Sequence, residues 1–228
     1  MKTRSQSAFT LIEMLVVISI IAVLAAFAVP ALTSALTKGQ MTGTMNNARQ
    51  LYLAGYQMAL DGASNSDGNR AWPGDYTSGV ATLEDYVEKL VQNDYLKGGD
   101  LGKILTAPGA SCTATTSAPP PPISVTLAGT PGVKVYKVKD ADASNTIFAV
   151  SANYTYNTAL TTATSPYGDK GFVVVHKGGD GVVLRKNNAS VSDYSNDGQK
   201  FQAAVGMLTG DAEGSPSNGD NSKALTPP

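Results

Sequence analysis

The sequence predicts an α+β protein in which a long N-terminal helix packs against an antiparallel β-sheet head. Residues 9–32 form an almost uninterrupted apolar run, and a helical pattern of apolar residues continues to residue 61. The second half of the chain instead contains short β-rich segments separated by glycine turns. A helix followed by a series of strands in this order is typical of α+β folds.

The first part of the helix is apolar enough to cross a membrane. Residues 1–8 (MKTRSQSA) form a polar leader that carries basic residues and no acid. At about 1.5 Å rise per residue, a helix over residues 9–32 spans a hydrocarbon core of about 30 Å. The positive-inside rule then keeps the leader in the cytoplasm and places the rest of the chain on the other side.

Glu13 interrupts the apolar run and separates two interpretations of it. A cleaved secretory signal also combines a basic start, an apolar run and small residues near its end, here at 26–28 or 29–31. A carboxylate at membrane depth costs on the order of 3 kcal/mol, and such residues usually have a partner. A disposable signal has no use for such a residue.

A cut between Ala8 and Phe9 would give Glu13 a partner. The new α-amino group of Phe9 would lie about one helical turn from Glu13. In an assembly of such helices, each carboxylate could pair with the amine of a neighbour. The alternative is an acid tolerated near a helix start, where the helix dipole favours it. The residues alone leave both interpretations open.

The segment that begins FTLIE resembles the N-terminus of type IV pilins and type II secretion pseudopilins. Residues 9–13 and Pro30 match the family pattern in type and spacing. The resemblance implies cleavage between Ala8 and Phe9 by a prepilin peptidase, N-methylation of Phe9, and filament assembly through Glu13 and Pro30. The family usually has glycine before the cut, whereas this chain has Ala8, the next smallest residue.

Residues 33–61 are expected to continue the helix as an amphipathic half. Apolar and aromatic residues recur every three or four positions between Met41 and Ala59. This half can pack on a head, and Pro30 is expected to kink the helix before it. A loop should follow at residues 61–79, tethered to the head by Trp72.

The head is expected to occupy residues 62–200. A capping-box pattern at Thr82 and Asp85 predicts a second helix that ends at Gly98 and Gly99. Residues 107–122 have the composition of a linker that ends in a polyproline spacer at 119–122. Strands are predicted within residues 133–139, 146–156, 172–176 and 182–185, and the last two form a hairpin. Residues 201–228 are expected to be a polar, partly disordered tail.

The composition argues against an enzyme and against nucleic-acid binding. Charged residues make up 15% of the chain and the net charge is −1, so no basic field is present to attract nucleic acid. One histidine and one cysteine leave little material for nucleophile–base or metal chemistry. Cys112 cannot form an internal disulfide, and His176 is expected on the polar face of its strand.

Calcium is the one ligand to consider, because major pseudopilins are known as a family for a calcium-holding loop near the C-terminus. Asp193, Asp197 and Asp211 supply oxygen ligands of the kind that calcium prefers. Their order does not match the family loop, and a solvated tail explains them better. No cofactor is therefore expected, with calcium as a weak candidate.

The resemblance favours a structural filament subunit over the second class, an exported binding protein or enzyme with a secretory signal. A type II secretion pseudopilin is preferred, since pilus-forming pilins often close a C-terminal loop with a disulfide that this chain cannot form. The alternative is a pilin of a surface type IV pilus. The implied partners are further copies of the chain, other pseudopilins or pilins, prepilin peptidase and the bacterial inner membrane. The implied topology is single-pass, with the head in the periplasm or on an extracellular filament.

Overall fold

A computed structural model describes residues 9–117 and 123–228. The expected leader, including Ala8, and the expected polyproline spacer at 119–122 lie outside the described residues. The chain divides into two units, Met1–Gly39 and Gln40–Pro228. The α+β layout predicted from the sequence, a long N-terminal helix with antiparallel sheets, is confirmed.

The first helix, α1, runs from Leu11 to Asn65 and contains Pro30 in its interior. In the first unit every side chain from residue 9 to residue 36 is exposed. In the second unit α1 has one buried face, which includes Leu51 and Met58. The helix ends four residues beyond residue 61, and Asn65 donates a side-chain hydrogen bond to the Asp61 carbonyl in its last turn (2.8 Å).

Two short helices follow, α2 (Leu83–Gln92) and α3 (Gly98–Leu105). The capping box predicted at Thr82 and Asp85 is present. The prediction that this helix ends at Gly98 and Gly99 is wrong, because Asp94 adopts a left-handed conformation and turns the chain just beyond Gln92. Gly98 instead begins α3, where a Cβ would lie 2.2 Å from the Thr116 methyl group.

A two-stranded antiparallel sheet forms from β1 (Cys112–Thr116) and β2 (Val125–Gly129). This differs from the linker expected over residues 107–122. The reason is tertiary: the Glu84 and Glu88 carboxylates of α2 accept hydrogen bonds from the backbone N–H groups of Leu127 (2.7 Å) and Val125 (3.0 Å). The outer edge of β2 is thereby satisfied by side chains instead of a third strand.

The main sheet has four antiparallel strands in the order β3-β4-β5-β6. Strands β4 and β5 are buried along their whole length, so both faces of the central sheet are covered. On one face Phe148 packs edge-on against Tyr52 of α1. The strands are β3 (Val133–Val135), β4 (Ile147–Ser151), β5 (Phe172–His176) and β6 (Gly181–Leu184).

The C-terminal residues belong to the folded head, which corrects the expected polar, partly disordered tail at 201–228. Helix α4 (Gly198–Val205) buries Phe201, and Leu208 and Leu225 are buried beyond it. The Leu225 N–H donates to the Val135 carbonyl (2.8 Å), so the last residues cover the edge of β3. A few buried apolar residues hold this polar segment in the head. They are too few to change its average composition, which is that of a disordered tail.

Candidate assembly segment

The start of α1 is closed by a reciprocal pair of side chains. The Glu13 Oε2 atom accepts hydrogen bonds from the Thr10 backbone N–H and from the Thr10 hydroxyl, both at 2.7 Å. The Thr10 Oγ1 atom in turn accepts a hydrogen bond from the Glu13 N–H at 3.3 Å. This arrangement is a capping box, which satisfies two N–H groups that the helix leaves without partners.

The capping box provides the Glu13 carboxylate with hydrogen-bond partners in its own helix. The negative charge lies in the first turn of the helix, where the helix dipole stabilises it. All of these contacts use Oε2 and leave Oε1 free of hydrogen bonds to the described residues. A carboxylate offers about four acceptor positions. Glu13 can therefore cap its own helix and still accept a cation from a second molecule.

Two hydroxyl groups, one within the apolar run and one just beyond it, donate hydrogen bonds to the helix backbone. Ser19 donates its hydroxyl to the Leu15 carbonyl (2.7 Å), and Thr33 donates to the Pro30 carbonyl (3.0 Å). A hydroxyl bonded to its own backbone does not need water, so these residues are compatible with a hydrocarbon environment.

The surface of the segment is apolar apart from a few polar side chains such as Glu13 and Ser19. Among the described residues, α1 is the one helix long and apolar enough to cross a membrane. Phe9 precedes it with 78% of its surface exposed. The exposed large apolar side chains of this unit are Phe9, Leu11, Ile12, Met14, Leu15, Val16, Val17, Ile18, Ile20, Ile21, Val23, Leu24, Phe27, Val29, Leu32 and Leu36.

The three carboxylates considered for calcium each have a structural partner. Asp193 accepts hydrogen bonds from the Ala189 and Ser190 N–H groups, both at 3.0 Å. Asp197 caps α4, and the hydrogen bond from the Lys200 N–H holds the pKa of this carboxyl below its usual value. Within residues 9–117 and 123–228, no group of three or more histidine, cysteine or acidic side chains is placed to hold a metal ion.

Asp211 has an ammonium group as its partner. Its carboxylate is almost fully buried and pairs with the Lys223 Nζ atom. The Ser217 N–H (3.0 Å) and hydroxyl (2.5 Å) donate to the same carboxylate. A cation from the chain itself therefore neutralises the most buried of the three candidates.

His176 and Cys112 are both buried, and the prediction of a polar-face histidine is wrong. The His176 Nδ1 atom lies 2.6 Å from an Asp180 carboxylate oxygen, and Nε2 lies 3.0 Å from the Val205 carbonyl oxygen. The Nε2 contact joins β5 to the end of α4, and the two contacts together explain how a histidine is accommodated in the interior. Burial raises the pKa of the Cys112 thiol, which keeps it protonated and unreactive.

Comparison with known proteins adds one match. Residues 3–29 match the family model described as the prokaryotic N-terminal methylation motif. No curated protein and no solved structure shows significant similarity to the chain. The match covers the junction of Ala8 and Phe9, the capping box and the apolar run as far as Val29.

The motif confirms the resemblance to the prepilin-type segment of type IV pilins and pseudopilins. It supports a pilin-like protein that prepilin peptidase processes and that one apolar helix anchors in a membrane. It also points to a structural family and away from an enzyme. The role of Thr10 was missed at the sequence level, although the spacing Thr-x-x-Glu is itself the signature of a capping box.

Proposed function

We propose that this chain is a subunit of a pilin-like filament, specifically a pseudopilin of a type II secretion system. The observation that carries the proposal is the methylation motif over residues 3–29 on a segment whose apolar side chains are all exposed. Such a surface must be covered by lipid before assembly and by other helices after it.

The capping box gives the assembly step a chemical basis. Cleavage between Ala8 and Phe9 creates an α-amino group next to the capped start of α1. The Glu13 Oε1 atom can then accept this amine from a neighbouring subunit while Oε2 remains bonded to Thr10. Pairing neutralises both charges in an apolar bundle and fixes the axial offset between adjacent helices. Methylation keeps the amine cationic.

The way in which the C-terminal segment is held favours a pseudopilin over a pilus pilin. The one cysteine of the chain, Cys112, is buried in β1, so no disulfide closes a C-terminal loop. Ion pairs of Asp211 with Lys223 and of Asp220 with Lys134 hold the segment instead. A subunit of a short periplasmic filament that pushes exported proteins outward fits these features, and a pilin of a surface pilus is the alternative.

The mature N-terminus tests the proposal. Intact-mass analysis of the membrane-extracted protein should show a chain that starts at Phe9 and carries one methyl group on its amine. The Ala8→Gly variant restores the usual family residue and should be processed at least as completely, whereas Ala8→Leu should accumulate the unprocessed form. A mature chain that starts near Leu32 would contradict the proposal and support a secretory signal.

Cell fractionation separates the two kinds of filament. A pseudopilin should remain with the cell envelope after mechanical shearing at normal expression, and deletion of its gene should retain exported proteins in the periplasm. Recovery of long fibres in the sheared fraction, with unchanged secretion, would support the surface pilin.

A further inference from the structure

The outer edge of β6 is a row of backbone groups that the described residues leave unpaired. β6 is the last strand in the order β3-β4-β5-β6. The His176 N–H donates to the Asp180 carbonyl (2.9 Å) at the start of the ladder between β5 and β6. The alternation of an antiparallel pair therefore turns the N–H and C=O groups of Gly181 and Val183 away from β5. No hydrogen bond among residues 9–117 and 123–228 is directed at these groups.

Other sheet edges are closed by groups of the chain itself. The Leu225 N–H covers the outward carbonyl of Val135 on β3, and the Glu84 and Glu88 carboxylates cover the outer edge of β2. An uncovered edge pairs readily with another chain, and proteins commonly blunt it with proline or charge. Strand β6 (Gly181–Leu184, GVVL) contains neither. Its edge is therefore available to a further strand.

Two arginine side chains flank this edge on one face of the sheet. Arg185 follows β6 with extended backbone (φ −95°, ψ 169°), so strand alternation places it on the face of Gly181 and Val183. On the same face, a Cβ at Gly181 would lie 3.7 Å from the Arg49 Cδ atom of α1. The Arg49 Nε–H donates to the Gly179 carbonyl (3.1 Å), which anchors the side chain. Both arginines are exposed.

The carboxylates near β6 do not neutralise these two arginines. Asp169 lies 3.3 Å from the Lys186 Nζ atom, and Asp180 lies 2.6 Å from the His176 ring. Among the described residues, neither arginine has a carboxylate partner. Exposed Lys170 adds a further positive charge at the end of the sheet where β5 begins. The surroundings of the open edge are therefore positive.

We propose that the outer edge of β6 binds an extended segment of a second protein that carries acidic side chains. The segment would extend the four-stranded sheet by one strand through the backbone groups of Gly181 and Val183. Its carboxylates would pair with Arg49 and Arg185, whose guanidinium groups suit carboxylate geometry. The inference goes beyond the filament function and does not depend on it, since every residue involved belongs to the unit Gln40–Pro228.

The β6 strand of a second copy is a poorer occupant. If two β6 edges paired antiparallel around Val183, Arg185 of each copy would lie opposite Gly181 of the other copy. Arg185 would then approach Arg49 of the other copy, because Arg49 lies beside Gly181. Like charges placed opposite each other destabilise a strand pair. An acidic segment instead matches both arginines.

Synthetic peptides test the proposal on the detergent-solubilised full chain. The peptide EVETEVE alternates acidic and apolar or hydroxyl side chains, so all its carboxylates lie on one face of a strand. KVKTKVK reverses the charge, and EVEPEVE keeps the charge but disfavours a strand. Fluorescence anisotropy of labelled peptides should show EVETEVE binding about tenfold or more tightly than either control. No binding of EVETEVE, or equal binding of EVEPEVE, would overturn the proposal.

Hydrogen exchange locates the bound peptide. Saturating EVETEVE should slow exchange of the Val183 amide about tenfold or more, because this outward N–H gains a backbone acceptor. The Thr126 amide of β2 should be unaffected, since it already faces β1. Unchanged exchange at Val183 in the presence of bound peptide would place the peptide elsewhere and overturn the proposal.

A charge-matched pair of variants tests the role of Arg185. Arg185→Gln should weaken EVETEVE binding about tenfold, whereas Lys103→Gln removes the same charge from exposed α3 and should bind like wild type. Urea unfolding followed through Trp72 should be alike in both variants, because both side chains are exposed. Wild-type affinity in folded Arg185→Gln, or an equal loss in Lys103→Gln, would overturn the proposal.

Discussion

The two halves of α1 belong to one helix but differ in what surrounds their side chains. Residues 9–36 are exposed on every side, whereas the head half buries a regular face that includes Leu51 and Met58. Among residues 33–61 the glycines also differ in what surrounds them. A Cβ at Gly39 or Gly43 would meet no atom within 4 Å, whereas one at Gly55 would lie 2.1 Å from the Tyr86 hydroxyl oxygen.

The difference teaches that one helix serves two kinds of partner. The head half is specified by contacts within the chain, because its small and large residues alternate to fit the sheet and α2. The apolar half has no such fit among the described residues, and the proposed function assigns its side chains to lipid and to other subunits. The predictions below probe each half, from the largest expected effect to the smallest.

The largest effect is expected from Glu13 in the apolar half. Glu13→Gln keeps an oxygen that can accept the Thr10 N–H but removes the charge that pairs with a neighbour's amine. If pairing drives assembly, each association step should weaken by roughly 3–5 kcal/mol, which is about two to four powers of ten. Filament recovery should be measured at matched membrane levels of each variant.

Thr10→Val is the matched control, because it removes the hydroxyl of the cap and leaves the carboxylate. The loss of this cap should lower the stability of the helix by about 1 kcal/mol and leave assembly largely intact. Membrane insertion should be normal in both variants, since Glu13→Gln removes a charged group from the apolar segment. Equal filament yields from Glu13→Gln and wild type would contradict the pairing of Glu13 with a neighbour's amine, and the carboxylate would then serve only to cap its own helix.

In the head, the next largest effect is expected from the pair of Asp211 and Lys223. Lys223→Met leaves a carboxylate that is 2% exposed without its cation. The free energy of unfolding should fall by about 3 kcal/mol, as when one partner of a buried pair is removed. The unfolding transition of the detergent-solubilised chain, followed through buried Trp72, measures this change.

An exposed pair provides the control for that experiment. Lys200→Met breaks the contact with Asp197, in which the lysine is 73% exposed, and should leave the free energy of unfolding nearly unchanged. A calcium chelator should leave the wild-type transition unchanged, because the Lys223 ammonium already neutralises Asp211. A calcium-dependent rise in stability that Asp211→Ala abolishes would restore the calcium interpretation.

A smaller effect is expected where α1 touches α2. Gly55→Ala should lower the free energy of unfolding by about 1–2 kcal/mol, because overpacking outweighs the better helix propensity of alanine. Gly43→Ala, with open space around it, should instead raise it by about 0.5–1 kcal/mol. Destabilisation by both substitutions would argue against the close contact at Gly55 as the cause.

The hydroxyl of Tyr86 makes this contact testable by a double-mutant cycle. It is buried and has no hydrogen-bond partner among the described residues. Tyr86→Phe should therefore be neutral or slightly stabilising, since it removes a polar atom that is left unsatisfied. In the Tyr86→Phe background, Gly55→Ala should lower the free energy of unfolding clearly less than it does in the wild-type chain. Strictly additive effects would argue against the contact.

Local signals in the sequence account for much of this fold. The apolar, β-branched run FVVVH predicts β5 at Phe172–His176, and the Thr82 and Asp85 spacing predicts the start of α2. The methylation segment is equally local, because its leader, glutamate and proline all lie within the first thirty residues. Residues whose structure depends on near neighbours could therefore be predicted.

The features missed depend on distant residues. Strand β2 is held by the Glu84 and Glu88 carboxylates, about forty positions earlier in the chain. No local sequence pattern predicts that contact. His176 is buried because the Val205 carbonyl, from α4, meets its ring. The C-terminal segment folds because Leu225 pairs with β3, although its composition is that of a disordered tail.

The most direct test of the account is removal of the apolar half. A chain that starts at Ala31 should be soluble and should unfold cooperatively, with the same Trp72 fluorescence transition as the detergent-solubilised full chain. It should neither enter membranes nor join filaments. An aggregated or non-cooperative product would contradict the central claim, because it would show that the head needs residues 9–30 to fold.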